Sequence, residues 1–212
     1  MSPSELLQSL QFRYATKQFD PAATISNDAW SVLEQSLHLA PSSFGLQPWK
    51  FLVIDSPAIR SELRECSWNQ GQVTDAARLV VFAARTDLTD VDIDRFIQCL
   101  ATAQGKTPTD LSGYRDIVHG FANRMTPEVR HAWNIRQTYI ALGQLMASAA
   151  AIGIDTCPLE GIDAAAYDKI LGLAESGYAT AVACAIGYRS SDDKYAEMPK
   201  ARFPITEVIE HR

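Results

Sequence analysis

Four cations stand in two short segments that carry little acid: Arg13 and Lys17 in Arg13-Tyr14-Ala15-Thr16-Lys17, and Lys200 and Arg202 in Lys200-Ala201-Arg202. An arginine can grip a phosphate through two parallel N–H donors, and a lysine places a compact charge beside a carbonyl or a developing anion. The chain has 25 acidic residues against 19 Lys and Arg, a formal charge of -6, so any anion site has to be local. Read without a motif, the same cations equally fit solvated surface with a few ion pairs. A third segment, Pro41-Ser42-Ser43-Phe44-Gly45-Leu46-Gln47-Pro48-Trp49, is a polar loop punctuated by prolines and a glycine, able to present hydroxyls and backbone N–H groups to a ligand. A fourth, Pro158-Leu159-Glu160-Gly161, contains a carboxylate that by itself reads as solvated.

Other chemistries find little support. The chain has no GxGxxG or GxxxxGK[ST] loop, no GxSxG and no HExxH, and His38, His119, His131 and His211 are scattered. Cys66, Cys99, Cys157 and Cys184 lie far apart with no CxxC pair, so reduced thiols are expected rather than a metal cluster or disulfide framework. The negative balance argues against a general nucleic-acid or anionic-membrane binder. The first residues lack a basic stretch followed by an apolar core, and no apolar run approaches the ~20 residues of a membrane span. A cytoplasmic protein is expected.

The elements that must position these segments follow from periodicity. Leu6, Leu7 and Leu10 mark an amphipathic first helix that ends before Arg13. Ser26 caps a second helix with Trp30, Leu33, Leu37 and Ala40 on one face, stopped by Pro41. Residues 50–54 and 77–84 are strand-length apolar runs, and a helix starts near Pro57. Residues 91–104 read as a helix, and 105–127 as helical pieces in a polar, glycine-punctuated excursion. Residues 128–152 form one long helix whose second half is apolar on nearly every face, which predicts burial all round. A short strand or loop at 155–158, a helix at 163–171 capped by Asp163 and a strand at 178–188 follow. Strands separated by helices without βαβ repetition favour an α+β layered fold, and no repeat or composition shift divides residues 1–212. One domain is expected.

Taken together and in order, Arg13 to Lys17, Pro41 to Trp49, Pro158 to Gly161 and Lys200 to Arg202 resemble the nitroreductase family of FMN-dependent NAD(P)H oxidoreductases over nearly the whole chain. The resemblance implies a mixed, largely antiparallel sheet flanked by helices, and a homodimer with a domain-swapped C-terminal extension and FMN at the subunit interface. Arg13, Lys200 and Arg202 match positions that grip the FMN phosphate, and Lys17 the lysine beside flavin N1 and the C2 carbonyl. Tyr14 and Ala15 lie within the same segment, with Ala15 where the family usually has Ser. Pro41, Ser42 and Ser43 match the loop that reaches the other subunit's FMN, Asn69 an amide on the flavin pyrimidine, and Gln72 a place where relatives often carry Lys. Pro158, Leu159, Glu160 and Gly161 match the P-x-E-G segment, whose backbone N–H near the Glu meets flavin N5.

The implied chemistry is ping-pong hydride transfer from NAD(P)H through N5 to a nitroaromatic, quinone or related acceptor. No protein acid or base is required for it, because positioning and flavin tuning carry the catalysis. Phe44, which replaces a commoner Thr, together with Tyr114 and Phe121, is expected to face substrate. Two other readings stay open: a flavin-binding module with little turnover, and a relative using FMN for dehydrogenation or dehalogenation.

Overall fold

The computed structural model describes residues 1–212. In chain order the elements are α1 Pro3–Phe12, α2 Asn27–His38, β1 Trp49–Val53, α3 Pro57–Glu65, α4 Gln72–Asp75, β2 Arg78–Arg85, α5 Asp90–Gln104, α6 Ser112–Ala122, α7 Pro127–Ala151, β3 Asp155–Leu159, α8 Ala164–Ile170, β4 Tyr178–Gly187 and α9 Ile205–Val208. Single 3₁₀ turns occupy 43–45 and 108–111. The starts follow local chemistry. Ser2, Ser26, Ser56, Thr126 and Asp163 accept a backbone N–H from the first turn of their helices, and Pro3, Pro57 and Pro127 stand where no N–H is needed.

The four strands form one sheet in the order β1-β2-β4-β3, every neighbour antiparallel. Its mixed character is confined to one parallel bridge, Ala15 with Thr156, on the outer side of β3. β2 and β4 are central and buried on both faces, which is why they read as continuous apolar runs rather than alternating ones. Alternate residues serve the two faces. Val80, Phe82, Val182, Cys184 and Ile186 meet Leu33, Leu37, Leu142 and Leu145 of α2 and α7. Leu79, Val81, Ala183 and Ala185 meet Leu63 and Tyr167 of α3 and α8. A third cluster joins α5 and α6 to the start of α7 through Ile93, Ile97, Val118 and Trp133. It docks the 105–127 excursion, with Arg115–Asp94 at 2.5 Å and His119–Asp90 at 3.0 Å on its outer side.

Within one chain α7 is covered on only part of its circumference. Ala141, Leu142, Leu145 and Ala149 are buried, whereas Tyr139, Ile140 and Gly143 face out. The reason is geometric: the sheet covers one side of this helix, and α1 runs along another without closing it. Leu6, Leu7, Leu10 and Phe12 of α1 and Phe203, Ile205, Val208 and Ile209 of the C-terminal tail are likewise exposed. That much exposed apolar surface on one chain is the kind that another surface covers. No helix is long and apolar enough to cross a membrane.

Candidate functional site

The Arg13–Lys17 segment lies along the outer edge of β3, where the Thr16 N–H donates to the Thr156 carbonyl at 3.3 Å. Its shape is imposed by Asp193, a buried carboxylate from the start of the C-terminal tail. Asp193 Oδ2 accepts from the Lys17 N–H at 2.7 Å, the Tyr14 hydroxyl at 2.9 Å and the Gln18 N–H at 3.0 Å, and Oδ1 from the Tyr195 N–H at 3.1 Å. Burial raises the carboxyl's pKa, but these donors outweigh it and hold Asp193 below the usual carboxylate range. Burial and the same carboxylate push the Tyr14 phenol up to about 12, so Tyr14 stays protonated and keeps donating. Arg189 fixes the segment from below. It is bonded to buried Asp155 at 2.5 Å, donates to the Phe12 carbonyl at 3.3 Å, and lies 4.0 Å and 4.6 Å from the ring centres of Phe12 and Tyr14.

Arg13, Lys200 and Arg202 converge on this edge from opposite ends of the chain. Lys200 Nζ donates to the Gln11 carbonyl. The Lys200 ammonium is pushed below its ordinary pKa first by burial and then by the charges of Arg13, Arg202 and Arg189. Of these four cations only Arg189 has an acid partner. Arg13, Lys200 and Arg202, with no carboxylate to neutralise them, leave the cluster electrostatically incomplete, and a phosphate is the anion whose oxygens match guanidinium forks.

Next to it stand Lys17 and Gln72, both acting on Cys157 in β3. The Lys17 charge and the Gln72 side chain favour ionisation of the thiol, yet burial dominates and pushes Cys157 up, leaving a neutral thiol. β3 then runs into Pro158 to Gly161. Gln70 Nε2 donates to the Gly161 carbonyl at 3.1 Å, and the Trp68 ring lies so close over Gly161 that a Cβ there would sit 2.7 Å from Trp68 Cε3. Glycine is required by this close approach. Trp68 is otherwise 83% exposed. The Glu160 carboxylate is not free: Tyr139 of α7 donates to it at 2.5 Å, and burial together with Glu160 raises the Tyr139 phenol to about 12.

The 41–49 loop is held by Gln137 of α7. The Ser43 N–H donates to Oε1 of buried Gln137 at 2.9 Å, and the Gln47 N–H donates to Ser42 Oγ at 2.9 Å, leaving the Ser43 hydroxyl outward. Phe44 packs 4.9 Å from Phe121, and the Tyr114 hydroxyl donates to the Phe44 carbonyl at 3.2 Å, so the three expected substrate-side aromatics meet. Phe44, Gln47, Trp68 and Asn69 all have positive φ, four of the five non-glycine residues that do. Backbone strain is therefore concentrated in the two loops of this site. Gln137→Leu is expected to leave the Ser43 N–H unpaired at a cost of about 1–3 kcal/mol and to lower the melting temperature by several degrees. Thermal unfolding followed by circular dichroism checks this, and an unchanged melt would show that Gln137 does not hold the loop.

The two halves do not meet within one chain. The loop enters β1, the cations flank β3, and these are opposite edges of the sheet, three strand spacings or about 14 Å apart. The cleft of ≈ 440 Å³ at the end of the loop is lined by Leu46, Gln47 and Pro48 of the loop, by residues of α2, β1 and α5, and by Leu88 and Tyr178, but by none of the expected cofactor residues. Asp193, Arg189, Gln137 and Tyr139 were not expected from the sequence. Each acts on a partner between 21 and 179 residues away, and no local pattern announces such a pairing.

Comparison with known proteins gives a consistent result. The nitroreductase family model matches residues 10–188. A Bacillus subtilis protein provisionally named NAD(P)H nitroreductase YfkO is 34% identical over 218 aligned positions, covering 97% of this chain and 96% of its own. A Staphylococcus haemolyticus protein provisionally named NAD(P)H nitroreductase SH0546 is 33% identical with 97% and 96% coverage. Among solved structures, ydfN of Bacillus subtilis superposes with a TM-score of 0.88 at 19% identity over the full length of both chains. A nitroreductase-like protein of Exiguobacterium sibiricum, solved in complex with FMN, gives 0.81 at 23% identity over 100% of this chain and 98% of its own.

Proposed function

The chain belongs to the nitroreductase family of oxidoreductases, and from that premise we propose that residues 1–212 form one FMN-binding unit that oxidises NAD(P)H. The observation that carries the reading is the convergence of Arg13, Lys200 and Arg202, unpaired with any acid, beside Lys17 and the β3–Gly161 turn. These residues fit FMN. Arg13, Lys200 and Arg202 would hold the phosphate, with Tyr14 and Ala15 placing the backbone between them. Lys17 would put its charge beside N1 and the C2 carbonyl, near Gln72, with Asn69 on the pyrimidine. When bound, FMN supplies hydride chemistry at N5 between NAD(P)H and a nitroaromatic, quinone or related acceptor, in a ping-pong cycle.

The chain's own part is positioning and charge. Pro158 and Leu159 bring the β3 exit to the cofactor, and Gly161 lets the Trp68 ring lie against that turn. Tyr139 keeps the Glu160 carboxylate engaged, so the turn offers its backbone N–H to the flavin rather than a free acid. Phe44, Tyr114 and Phe121 form an apolar wall where the acceptor stacks. No side chain is assigned a proton-transfer role.

The same reading makes the protein a homodimer. Pro41, Ser42 and Ser43 would complete the partner's FMN site, because the halves lie on opposite sheet edges. The outward faces of α1 and α7 would form the interface. The apolar tail around Phe203, Ile205 and Val208 would cross to the partner, for which the unpaired outer edge of β1 and its adjoining cleft offer a seat. Residence in the reducing cytoplasm would keep the four cysteines as thiols.

The test is direct. Purified protein should be yellow, bind one FMN per protomer, and oxidise NADH or NADPH with menadione or a nitroaromatic as acceptor. A colourless protein that gains no flavin spectrum with added FMN would overturn the reading, and bound flavin without turnover would reduce it to a binding module. Gln72→Lys adds a second cation near Lys17, so the flavin midpoint potential is expected to rise, at some loss of stability because position 72 is buried. Potentiometric titration measures this, and an unmoved potential would remove Gln72 from the cofactor's surroundings.

A further inference from the structure

Asn69 has a backbone in the left-handed region, φ +55°, directly after Trp68 at +51°. Asparagine tolerates this conformation and tryptophan does not, so the surrounding structure imposes it. The Gln70 N–H bonds the Ser67 carbonyl at 3.0 Å, and the Ser67 hydroxyl lies 2.7 Å from the Tyr167 hydroxyl beneath. The Asn69 side chain is fixed separately, by Arg64 in the last turn of α3. Arg64 Nε donates to Asn69 Oδ1 at 2.9 Å, and Nη1 donates to Thr74 Oγ1 of α4 at 2.9 Å.

The chemistry of that contact sets the amide's orientation. Arg64 Nε–H can only donate, so the atom facing it has to be the amide oxygen. That contact takes one of the oxygen's two lone pairs and turns the oxygen toward α3, so the Asn69 NH₂, with two donors and no partner in the chain, is the end directed away from Arg64. An amide free to rotate could meet either a flavin carbonyl or the flavin N3–H. A clamped one presents its NH₂ on the side away from Arg64, and a group approaching from that side meets donors.

We propose that Arg64 is a positioning residue for cofactor recognition: it holds Asn69 with its NH₂ outward, so that Asn69 donates to an acceptor on the flavin pyrimidine ring and does not accept from N3–H. The inference rests on the FMN reading above. Arg64 never touches the flavin and acts through Asn69. Asn69 in turn contributes affinity only while clamped.

The test titrates apoprotein with FMN by flavin fluorescence and records the ¹³C shifts of the C2 and C4 carbonyls of labelled FMN in the holoprotein. Arg64→Met and Asn69→Ala are each expected to weaken FMN about fivefold, as for one lost hydrogen bond. The double variant should be no weaker than either single variant, because both remove the same contact. Arg64→Lys, which keeps the charge and loses the Nε donor, should group with Arg64→Met. One carbonyl signal should move upfield in all of them. Asn69→Asp, which keeps an oxygen for Arg64 and loses the NH₂, should reproduce that shift without disturbing α3. Additive losses in the double variant, or unmoved carbonyl signals, would make Arg64 a staple between α3 and α4 and overturn the inference alone. A wild-type protein that binds no FMN would overturn the cofactor reading and this inference with it.

Discussion

Replacing Arg13 and Arg202 together by glutamine is expected to weaken FMN binding by about 10²–10⁴-fold, since each charge-assisted contact to phosphate contributes about 1.5–3 kcal/mol. The apoprotein should melt within a degree or two of the parent, or slightly above it. Neither guanidinium has an acid partner to lose, and each raises the electrostatic cost of charging Lys200. Riboflavin, which lacks the phosphate, separates this from a general disturbance of the site: its affinity should be the same in parent and variant. The parent's affinity for FMN should also fall with added salt, and the variant's much less. Isothermal titration with both ligands at two ionic strengths reads all of this. Equal losses for FMN and riboflavin would mean that the cations shape the protein and do not hold a phosphate.

The second large effect is at Asp193. Asp193→Ala removes the acceptor of four donors, three of them backbone N–H groups in tightly bent chain, at a cost of about 2–4 kcal/mol and about 5–15 °C in melting temperature. It also frees Lys17 and the tail that leads to Lys200, so FMN should bind more weakly even though Asp193 reaches no ligand. The pH dependence has a definite sign. Asp193 is held below its ordinary pKa, so its contribution is fully present above the unfolded value of about 3.9 and is lost as the pH falls through the lower folded value. The gap in melting temperature between the parent and Asp193→Asn should be steady from about pH 5 to 8 and shrink below about pH 4. A gap that instead grew on acidification would show that Asp193 is not ionised in the folded protein.

How far the sequence announced all this can be judged residue by residue. β2 and β4 were legible because strands buried on both faces spell themselves as unbroken apolar runs. Ser26 and Asp163 announced their helices because capping acts within one turn. The cations, the serine loop and the Pro158–Gly161 turn were legible as types at recognisable places in the chain. Their grouping on two sheet edges was not, since strand order is a property of the whole chain. Asp193 stood in a run of serines and aspartates, Ser190-Ser191-Asp192-Asp193, where nothing distinguished it from its exposed neighbour Asp192. Which residues of α7 stay outward within one chain was not legible, because small apolar residues on every side of a helix look the same whether covered by the chain's own sheet or facing away from it.

The order β1-β2-β4-β3 has a genetic consequence if each FMN is shared between protomers. An allele without Arg13 and Arg202 and an allele without Ser42 and Ser43 would each spoil both sites of their own homodimer. In a mixed dimer the damage sorts unequally: one site inherits both lesions and the other inherits neither. Two inactive proteins, co-expressed, would thus complement each other and recover about a quarter of the parent's active sites under random pairing, by a route that requires no repair of either chain.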